Sequence, residues 1–339
     1  MSICLCNLSA DTALELAAKK ELELTPATPD LSSFSANPDA FDSCKGSFVE
    51  GLAKPIDILV GGAKERRRVG ASAACHSWTG ALPKGSILAL NENVYVTAPE
   101  FTLLQQANQL HQVELCQMLG RYLGTWTPSE NSSTGQEERA PLTTFDSLIH
   151  FLSDVGSARG IQNLRLAMAY TCDGAASAPE TSLQLMLSLP RGLYGFGLAQ
   201  PTMNYRVDLS AEARKLCSKD FIRIDLCWRK SKFGLEYQGE GHGDKLGEDY
   251  ARWFAARMEG YEMWFVAKEQ LEDAAQMRYI GREVAARLGY DVDNMSLPTE
   301  EDLRELLDIL SGSKNPKPLN RKELRSRHLE FRNRRRTAM

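Results

Sequence analysis

The sequence lacks the features that mark membrane-spanning, secreted and repeat proteins. None of its 339 residues lies in an uncharged apolar run approaching the roughly 18 residues that a membrane span requires. No basic segment precedes an apolar one at the start, so no signal peptide is predicted. No unit recurs with a period of about 20–50 residues, which excludes a solenoid. We therefore expect a protein that does not associate with membranes.

Paired cysteine spacing is also missing. The chain has eight cysteines, none of them in a CxxC pair, so neither a zinc site nor a disulfide framework is expected. Their apolar or mixed surroundings are typical of reduced, buried thiols, and this pattern predicts a cytoplasmic protein. The cysteines are Cys4, Cys6, Cys44, Cys75, Cys116, Cys172, Cys217 and Cys227.

The length and composition predict a globular chain of more than one domain. Apolar residues make up 43% of the sequence and charged residues 25%, which is enough apolar material for a core. Helical and strand patterns alternate along the chain, so we predict an α+β (mixed α/β) protein. The polar stretch 127–139 is typical of a linker. The predicted divisions are a mixed domain at 1–140, a second domain at 141–295, and a helix at 300–310 with a basic tail within 296–339.

The charge is unevenly distributed. Residues 311–339 hold ten Lys/Arg and two Glu and carry a charge of +8. Since the net charge of the chain is −4, the rest of the chain carries −12. A basic tail on an acidic body is typical of an arm that seeks a polyanion. The other interpretation is a solvated terminal segment that aids solubility.

The most informative segment is a predicted β-hairpin. Two apolar runs, Phe221–Trp228 and Phe233–Tyr237, flank a polar link of four residues. If Trp228 pairs with Phe233, each residue i faces residue 461 − i, and Asp225 lies directly opposite Glu236.

Two opposed carboxylates are unfavourable on apolar strands. The Cβ atoms of such a pair lie about 4.5–5.5 Å apart, and like charges at that distance destabilise the sheet. A hard divalent cation removes the penalty, and Mg²⁺ accepts carboxylates, a carbonyl and waters. Asp225, Glu236 and the backbone carbonyl of Tyr237 form such a ligand set. The alternative is an ordinary hairpin on which both carboxylates point to solvent.

The residues around this hairpin resemble a nuclease family. The pattern from Asp225 to Glu236 and Gln238, after a helix that carries a Glu, resembles the PD-(D/E)xK nuclease superfamily. The segment 236–242 resembles the E-x-D-G-x-x-H signature of bacterial proteins related to the very-short-patch-repair endonuclease. The resemblance spans roughly residues 160–290. Three more stretches are similar to elements of that group, namely Ser177–Thr181, Asp249–Arg252 and Gly260–Val266.

The whole chain is also similar to actinobacterial proteins described as AbiEi-type antitoxin-like. In these, a front half with strands and a helix of the pattern V-x-x-P-E-x-T-L, here 96–103, precedes the nuclease-like half. This resemblance implies a restriction-endonuclease-like core behind an N-terminal mixed domain.

The resemblance implies roles for individual residues. The metal ligands correspond to Asp225 and Glu236, and the auxiliary acid corresponds to Glu180. Gln238 stands where the superfamily usually has Lys, and an amide orients water but cannot act as a base or carry a charge. His242, on a glycine-flanked loop, is a candidate general acid/base or a candidate hydrogen-bond donor to a phosphate. The alternative is a loop histidine that is merely solvated.

The role of Glu180 has a competing explanation. Ser177 and Glu180 form the pattern of a capping box, which the sequence repeats at Thr97 and Glu100. We predict that Thr97 caps a helix running to about Leu123. Glu180 is therefore a candidate for helix capping, for the metal shell, or for both.

The implied reaction is metal-assisted hydrolysis of a phosphodiester. The cofactor would be Mg²⁺, or Mn²⁺ in its place, and it would activate a water and stabilise developing charge. Arg252 and Arg257, on the helix after the hairpin, are candidate phosphate contacts, with solvated helix charges as the alternative.

Three functions follow from these residues. The first is an Mg²⁺-dependent DNA endonuclease-like protein acting in phage defence or DNA repair. The second is a non-catalytic DNA-binding regulator or antitoxin, with a toxin or defence protein as partner, and Gln238 favours it. The third is a protein–protein adaptor whose basic tail docks an acidic partner. The sequence does not determine the oligomeric state.

Overall fold

The computed structural model describes residues 2–34, 52–62, 72–239, 246–319 and 323. The helices in these ranges are α1 Asn7–Lys19, α2 Pro99–Gln106, α3 Gln112–Leu123, α4 Phe145–Asp154, α5 Ile161–Tyr170, α6 Ala178–Ser188, α7 Ala211–Cys217, α8 Leu246–Met258, α9 Lys268–Leu271, α10 Ala274–Arg287 and α11 Glu300–Leu310. The strands are β1 Ile3–Leu5, β2 Thr25–Ala27, β3 Ile56–Val60, β4 Ala73–Ser77, β5 Ile87–Ala89, β6 Val94–Thr97, β7 Trp126–Pro128, β8 Gln136–Glu138, β9 Thr202–Asp208, β10 Phe221–Trp228, β11 Phe233–Gln238 and β12 Glu262–Ala267. The chain is therefore an α+β protein, as predicted.

The chain forms two compact units that interleave along the sequence. The first comprises Met1–Leu110, Thr127–Ser129 and Glu137–Leu166, and the second comprises His111–Trp126, Glu130–Gln136 and Ala167–Met339. The division of the sequence at residues 140 and 295 into separately folding domains stays a prediction.

The first unit is built on a mixed six-stranded sheet. Its strand order is β2-β5-β6-β1-β3-β4, with β1 parallel to β6, β3 parallel to β4, and the other neighbours antiparallel. The central strand β1 is fully buried. Helix α1 follows it and buries a stripe at helical spacing, which consists of Ala10, Ala13, Leu14 and Ala17.

The predicted continuous helix from Thr97 to Leu123 is wrong. It is two helices, α2 and α3, and Thr97 does not cap the first. Pro99 occupies the first turn of α2 and makes Ala98 the N-cap, so Thr97 stays in β6, where it pairs with Ile87. Helix α3 begins with its own capping box, formed by His111 and Glu114.

The second unit contains a four-stranded sheet in the order β12-β11-β10-β9. Strands β9, β10 and β11 are successively antiparallel, whereas β12 is parallel to β11. A parallel neighbour requires a crossover connection, and α8 provides it between β11 and β12. Helix α6 lies against β10. The hairpin strands are thus central in the sheet, with helices beside them.

Small residues let α8 approach the sheet closely. Ala255 and Ala256 are fully buried and share a core cluster with Ile222 and Ile224 of β10 and with Met263 of β12. This packing fixes α8, and with it Arg252, relative to the hairpin.

Helix α11 completes the second unit. It packs on α3, α6 and α10, and Gln117 Nε2 donates to the carbonyl of Leu310 at 2.6 Å. Its inward face consists of Leu303, Leu306, Ile309 and Leu310. Across the described ranges, no helix combines the length and apolar character needed to cross a membrane.

Candidate active site

The register of the β10–β11 hairpin is confirmed for three pairs. Trp228 faces Phe233, Cys227 faces Gly234 and Leu226 faces Leu235, so each pair sums to 461 as predicted. The pairing ends there, one step before Asp225 and Glu236. The two acids lie at the point where the hairpin strands stop forming a regular ladder.

Asp225 itself replaces the missing ladder bond. Its Oδ2 accepts a hydrogen bond from the backbone N–H of Tyr237 at 2.8 Å. The ladder to β9 also skips Asp225, between the pairs Ile224–Tyr205 and Leu226–Met203. The residue that would have faced it is Asn204, which has φ +46° and leaves the regular strand conformation. Asp225 is therefore placed where both neighbouring ladders are interrupted.

Glu236 is buried and only partly satisfied. It is 5% exposed, and its Oε2 accepts a bond from Arg252 Nη2 at 2.9 Å. Its Oε1 is buried and has no hydrogen-bond donor within the described part of the chain. A buried carboxylate oxygen without a partner is costly, and most such groups in native proteins are satisfied by protein, water or an ion.

Arg252 is held at the site by several oxygens. Its Nη2 also donates to the carbonyl of Arg223 at 3.0 Å, and its Nη1 lies 3.7 Å from Asp249 Oδ1. The guanidinium therefore neutralises part of the acidic charge that the hairpin gathers.

The predicted helix cap at Ser177 is confirmed, but the reciprocal bond of a capping box is displaced by one residue, because Glu180 accepts the backbone N–H of Ala176 rather than that of Ser177. Ser177 caps α6 by accepting the N–H of Glu180, and its hydroxyl donates to Glu180 Oε1 at 2.8 Å. Glu180 Oε2 accepts the backbone N–H of Ala176 at 2.9 Å and Asn204 Nδ2 at 2.7 Å. Both oxygens are thus engaged, and the carboxylate is only 7% exposed.

The three acids form one electrostatic cluster. Burial raises the pKa of Asp225 well above its usual value, and the charges of Glu236 and Glu180 raise it further. Burial raises the pKa of Glu236 to about 7, with Arg252 opposing the rise. Burial also raises the pKa of Glu180, against the hydrogen bonds that stabilise its anion. Helix α6 and strands β10 and β11 thus bring together three carboxyl groups that resist simultaneous ionisation.

The other predicted site residues are distributed differently. Gln238 is half-buried at the end of β11, in register with Ala267 of β12. Tyr237 contributes its amide to Asp225, and a ligand role for its carbonyl stays a prediction. Arg257 is exposed, with its guanidinium carbon 5.4 Å from the centroid of the Trp253 ring. His242 lies outside the described residues.

The donor set is suited to a hard cation in charge and atom type. Asp225 and Glu236 present carboxylate oxygens from adjacent strands, and Glu236 Oε1 has no donor among the described residues. Two features oppose it: Arg252 already occupies Glu236 Oε2, and hydrogen bonds occupy both oxygens of Glu180. In the described ranges no three His, Cys, Asp or Glu side chains converge closely enough to hold a metal. Asp225 and Glu236 would hold such an ion, with Glu180 outside them.

Sequence reasoning missed Asn204. Its left-handed backbone interrupts the β9–β10 pairing and directs its amide to Glu180 and to the carbonyl of Gly174, the latter at 2.9 Å. The available signal was an Asn beside a predicted strand, since Asn tolerates positive φ better than other non-glycine residues.

Comparison of the chain with protein-family models, with curated proteins and with solved structures gives no match.

Proposed function

We propose that the second unit is a divalent-cation-dependent nuclease-like domain that hydrolyses phosphodiester bonds in DNA. One observation carries the proposal. Asp225 is half-buried and Glu236 is buried beside it, the charge of Glu236 raises the pKa of Asp225, and Glu236 Oε1 has no donor within the described residues. Such a pair is costly for stability alone, which makes it a candidate for function.

The order of elements supports the same proposal. A helix with an acid at its start, three successively antiparallel strands with a short helix between the first two, a crossover helix and a parallel strand occur in the order α6, β9, α7, β10, β11, α8 and β12. The acids lie on the helix start and on the two central strands, where the resemblance to the PD-(D/E)xK superfamily puts its ligands.

The chemistry divides between the chain and the ion. When bound, Mg²⁺ or Mn²⁺ lowers the pKa of a water and neutralises charge on the phosphate. Asp225 and Glu236 hold and orient the ion, and the amide of Tyr237 keeps the Asp225 carboxylate in place. A water oxygen forms a bond to phosphorus, one ester P–O bond breaks, and the leaving oxygen takes up a proton.

A non-catalytic DNA-binding regulator is the second candidate. Arg252 already compensates Glu236 at 2.9 Å, and the neutral Gln238 supplies no charge for the reaction. In this function the nuclease-like scaffold would bind DNA through its basic groups without cleaving it.

A plasmid-cleavage assay with Mg²⁺ or Mn²⁺ separates the two. The nuclease proposal requires nicking or cleavage that disappears in Asp225→Asn and Glu236→Gln but persists in Asp208→Asn. Asp208 is the matched control because its side chain is 73% exposed at the end of β9. Salt-dependent DNA binding without cleavage, unaffected by chelator, would establish the regulator instead.

A further inference from the structure

We infer that Arg252 is the counter-ion of Glu236 in the absence of a cation and transfers to a phosphate when a divalent cation binds to the same carboxylate. The inference rests on the proposed function and deepens it. It makes the binding of the cation and of the phosphodiester cooperative, with Arg252 as the residue that couples them.

Arg252 now acts as the counter-ion of the buried acid. Its Nη2 is shared between Glu236 Oε2 at 2.9 Å and the carbonyl of Arg223 at 3.0 Å. The Glu236 side chain is 6% exposed, so this guanidinium neutralises a charge that water reaches poorly. A cation binding between Asp225 and Glu236 would compete with it for the same carboxylate.

One oxygen of the Glu236 carboxylate has no described partner and can serve as a ligand for the ion. Glu236 Oε1 is buried without a donor among the described residues, whereas Oε2 carries the arginine. A dication at Oε1 would stand close to the positive guanidinium. Since like charges repel strongly where water is excluded, the cation weakens the bond between Arg252 and Glu236.

The released guanidinium can reach a phosphate at the solvent-exposed edge of the site. The Arg252 side chain is 27% exposed, so it already reaches solvent at the edge of the acidic cluster. A phosphodiester held by the cation presents two anionic oxygens, which match the fork of a guanidinium. The phosphate thus replaces Glu236 as the partner of Arg252, and each ligand favours the binding of the other.

Arg257 provides a matched comparison on the same helix. It has the same charge, but its guanidinium lies over the Trp253 ring, and its described contacts include no bond to Glu236. Removing it changes the charge of α8 without freeing the carboxylate.

The test measures Mn²⁺ binding by calorimetry and by electron paramagnetic resonance, with and without dimethyl phosphate. For the unaltered chain we expect dimethyl phosphate to tighten Mn²⁺ binding by about fivefold or more. Arg252→Gln should bind Mn²⁺ alone about tenfold more tightly, because the competing charge is gone, and dimethyl phosphate should then have no effect. Arg257→Gln should behave like the unaltered chain.

Two outcomes contradict the inference in different ways. If Mn²⁺ binds the unaltered chain and Arg252→Gln equally, with no effect of dimethyl phosphate on either, the transfer of Arg252 from Glu236 to the phosphate is contradicted. The proposed cation site is then retained. If Mn²⁺ binds none of the variants, the proposed function fails and the inference fails with it. Should Arg252→Gln fold poorly, Arg252→Lys carries the test. It keeps the competing charge and loses the fork, so the phosphate effect should shrink below that of the unaltered chain.

Discussion

The carboxylate of Asp225 accepts the backbone N–H of Tyr237 at 2.8 Å, where a strand carbonyl would accept it in a regular hairpin. The β10–β11 ladder accordingly ends at the pair Leu226–Leu235. The side chain that ends the ladder is also the one whose pKa is raised most clearly by burial and by Glu236. Local backbone pairing and site chemistry thus depend on the same carboxylate.

A divalent cation should stabilise the folded protein through this pair. At about one hundred times the dissociation constant, Mn²⁺ or Mg²⁺ should add about 2.7 kcal/mol, or about 5–10 °C in Tm for a unit of this size. Differential scanning fluorimetry with and without the ion measures the shift. Asp225→Asn should lose the shift and the exposed control Asp208→Asn should keep it, whereas equal shifts in both would place the ion elsewhere.

Stability should depend on pH through the same acids. The pKa of Glu236 is raised from 4.5 to about 7, so its contribution is fully present below about pH 4.5 and is lost as pH rises through about 7. Asp225 extends this loss to higher pH, because its pKa is raised well above the usual value. Glu180 faces Glu236 with negative charge and raises its pKa, whereas Arg252, itself beside Asp249, and the backbone N–H of Asp225 lower it.

The size of the pH dependence of stability follows from the pKa shift of Glu236. A change from 4.5 to about 7 in the pKa of Glu236 corresponds to a loss of stability on the order of 3 kcal/mol between acidic and mildly alkaline pH. Urea unfolding of the metal-free protein at about pH 5 and about pH 8 measures it. Glu236→Gln should flatten the profile, and an equally steep profile in that variant would assign the dependence to other groups.

Replacement of Asn204 should separate its backbone role from its side-chain role. Asn204→Gly keeps the positive φ but removes the donor to Glu180, so we expect a loss of about 1.5–3 kcal/mol in the free energy of unfolding. Asn204→Asp adds a fourth carboxylate to the cluster and should cost more at neutral pH than at acidic pH. Denaturant unfolding of both variants at two pH values tests this, and equal losses at both would remove the electrostatic explanation.

Two glycines of the second unit should respond in opposite directions to alanine. A Cβ at Gly281 of α10 would lie 2.2 Å from the Phe196 ring, which is buried, so Gly281→Ala should destabilise by about 1–3 kcal/mol. A Cβ at Gly247, in the first turn of α8, meets no described atom within 4 Å. Gly247→Ala should therefore be neutral or stabilise by up to about 1 kcal/mol. Thermal unfolding compares them, and a stabilised Gly281→Ala would contradict the packing of α10 on Phe196.

Local patterns predicted the hairpin well. Strand β10 has the predicted bounds Phe221–Trp228, and the register with β11 holds because a four-residue link between alternating strands leaves few pairings that bury the apolar side chains. The same local reasoning failed at Thr97. There the pairing of β6 with β5 and the position of Pro99 outweighed a capping pattern that reads identically to the one at Ser177.

The α+β class and the partly confirmed hairpin register are what the sequence by itself determined, because side-chain alternation and apolar periodicity are properties of neighbouring residues. Only the tertiary structure decided which groups join the two acids. Packing of α6 and the left-handed turn at Asn204 bring Glu180 to the pair, and the crossover helix α8 brings Arg252. These residues are far apart along the chain, and their meeting depends on how helices pack against the sheet, which no local pattern encodes.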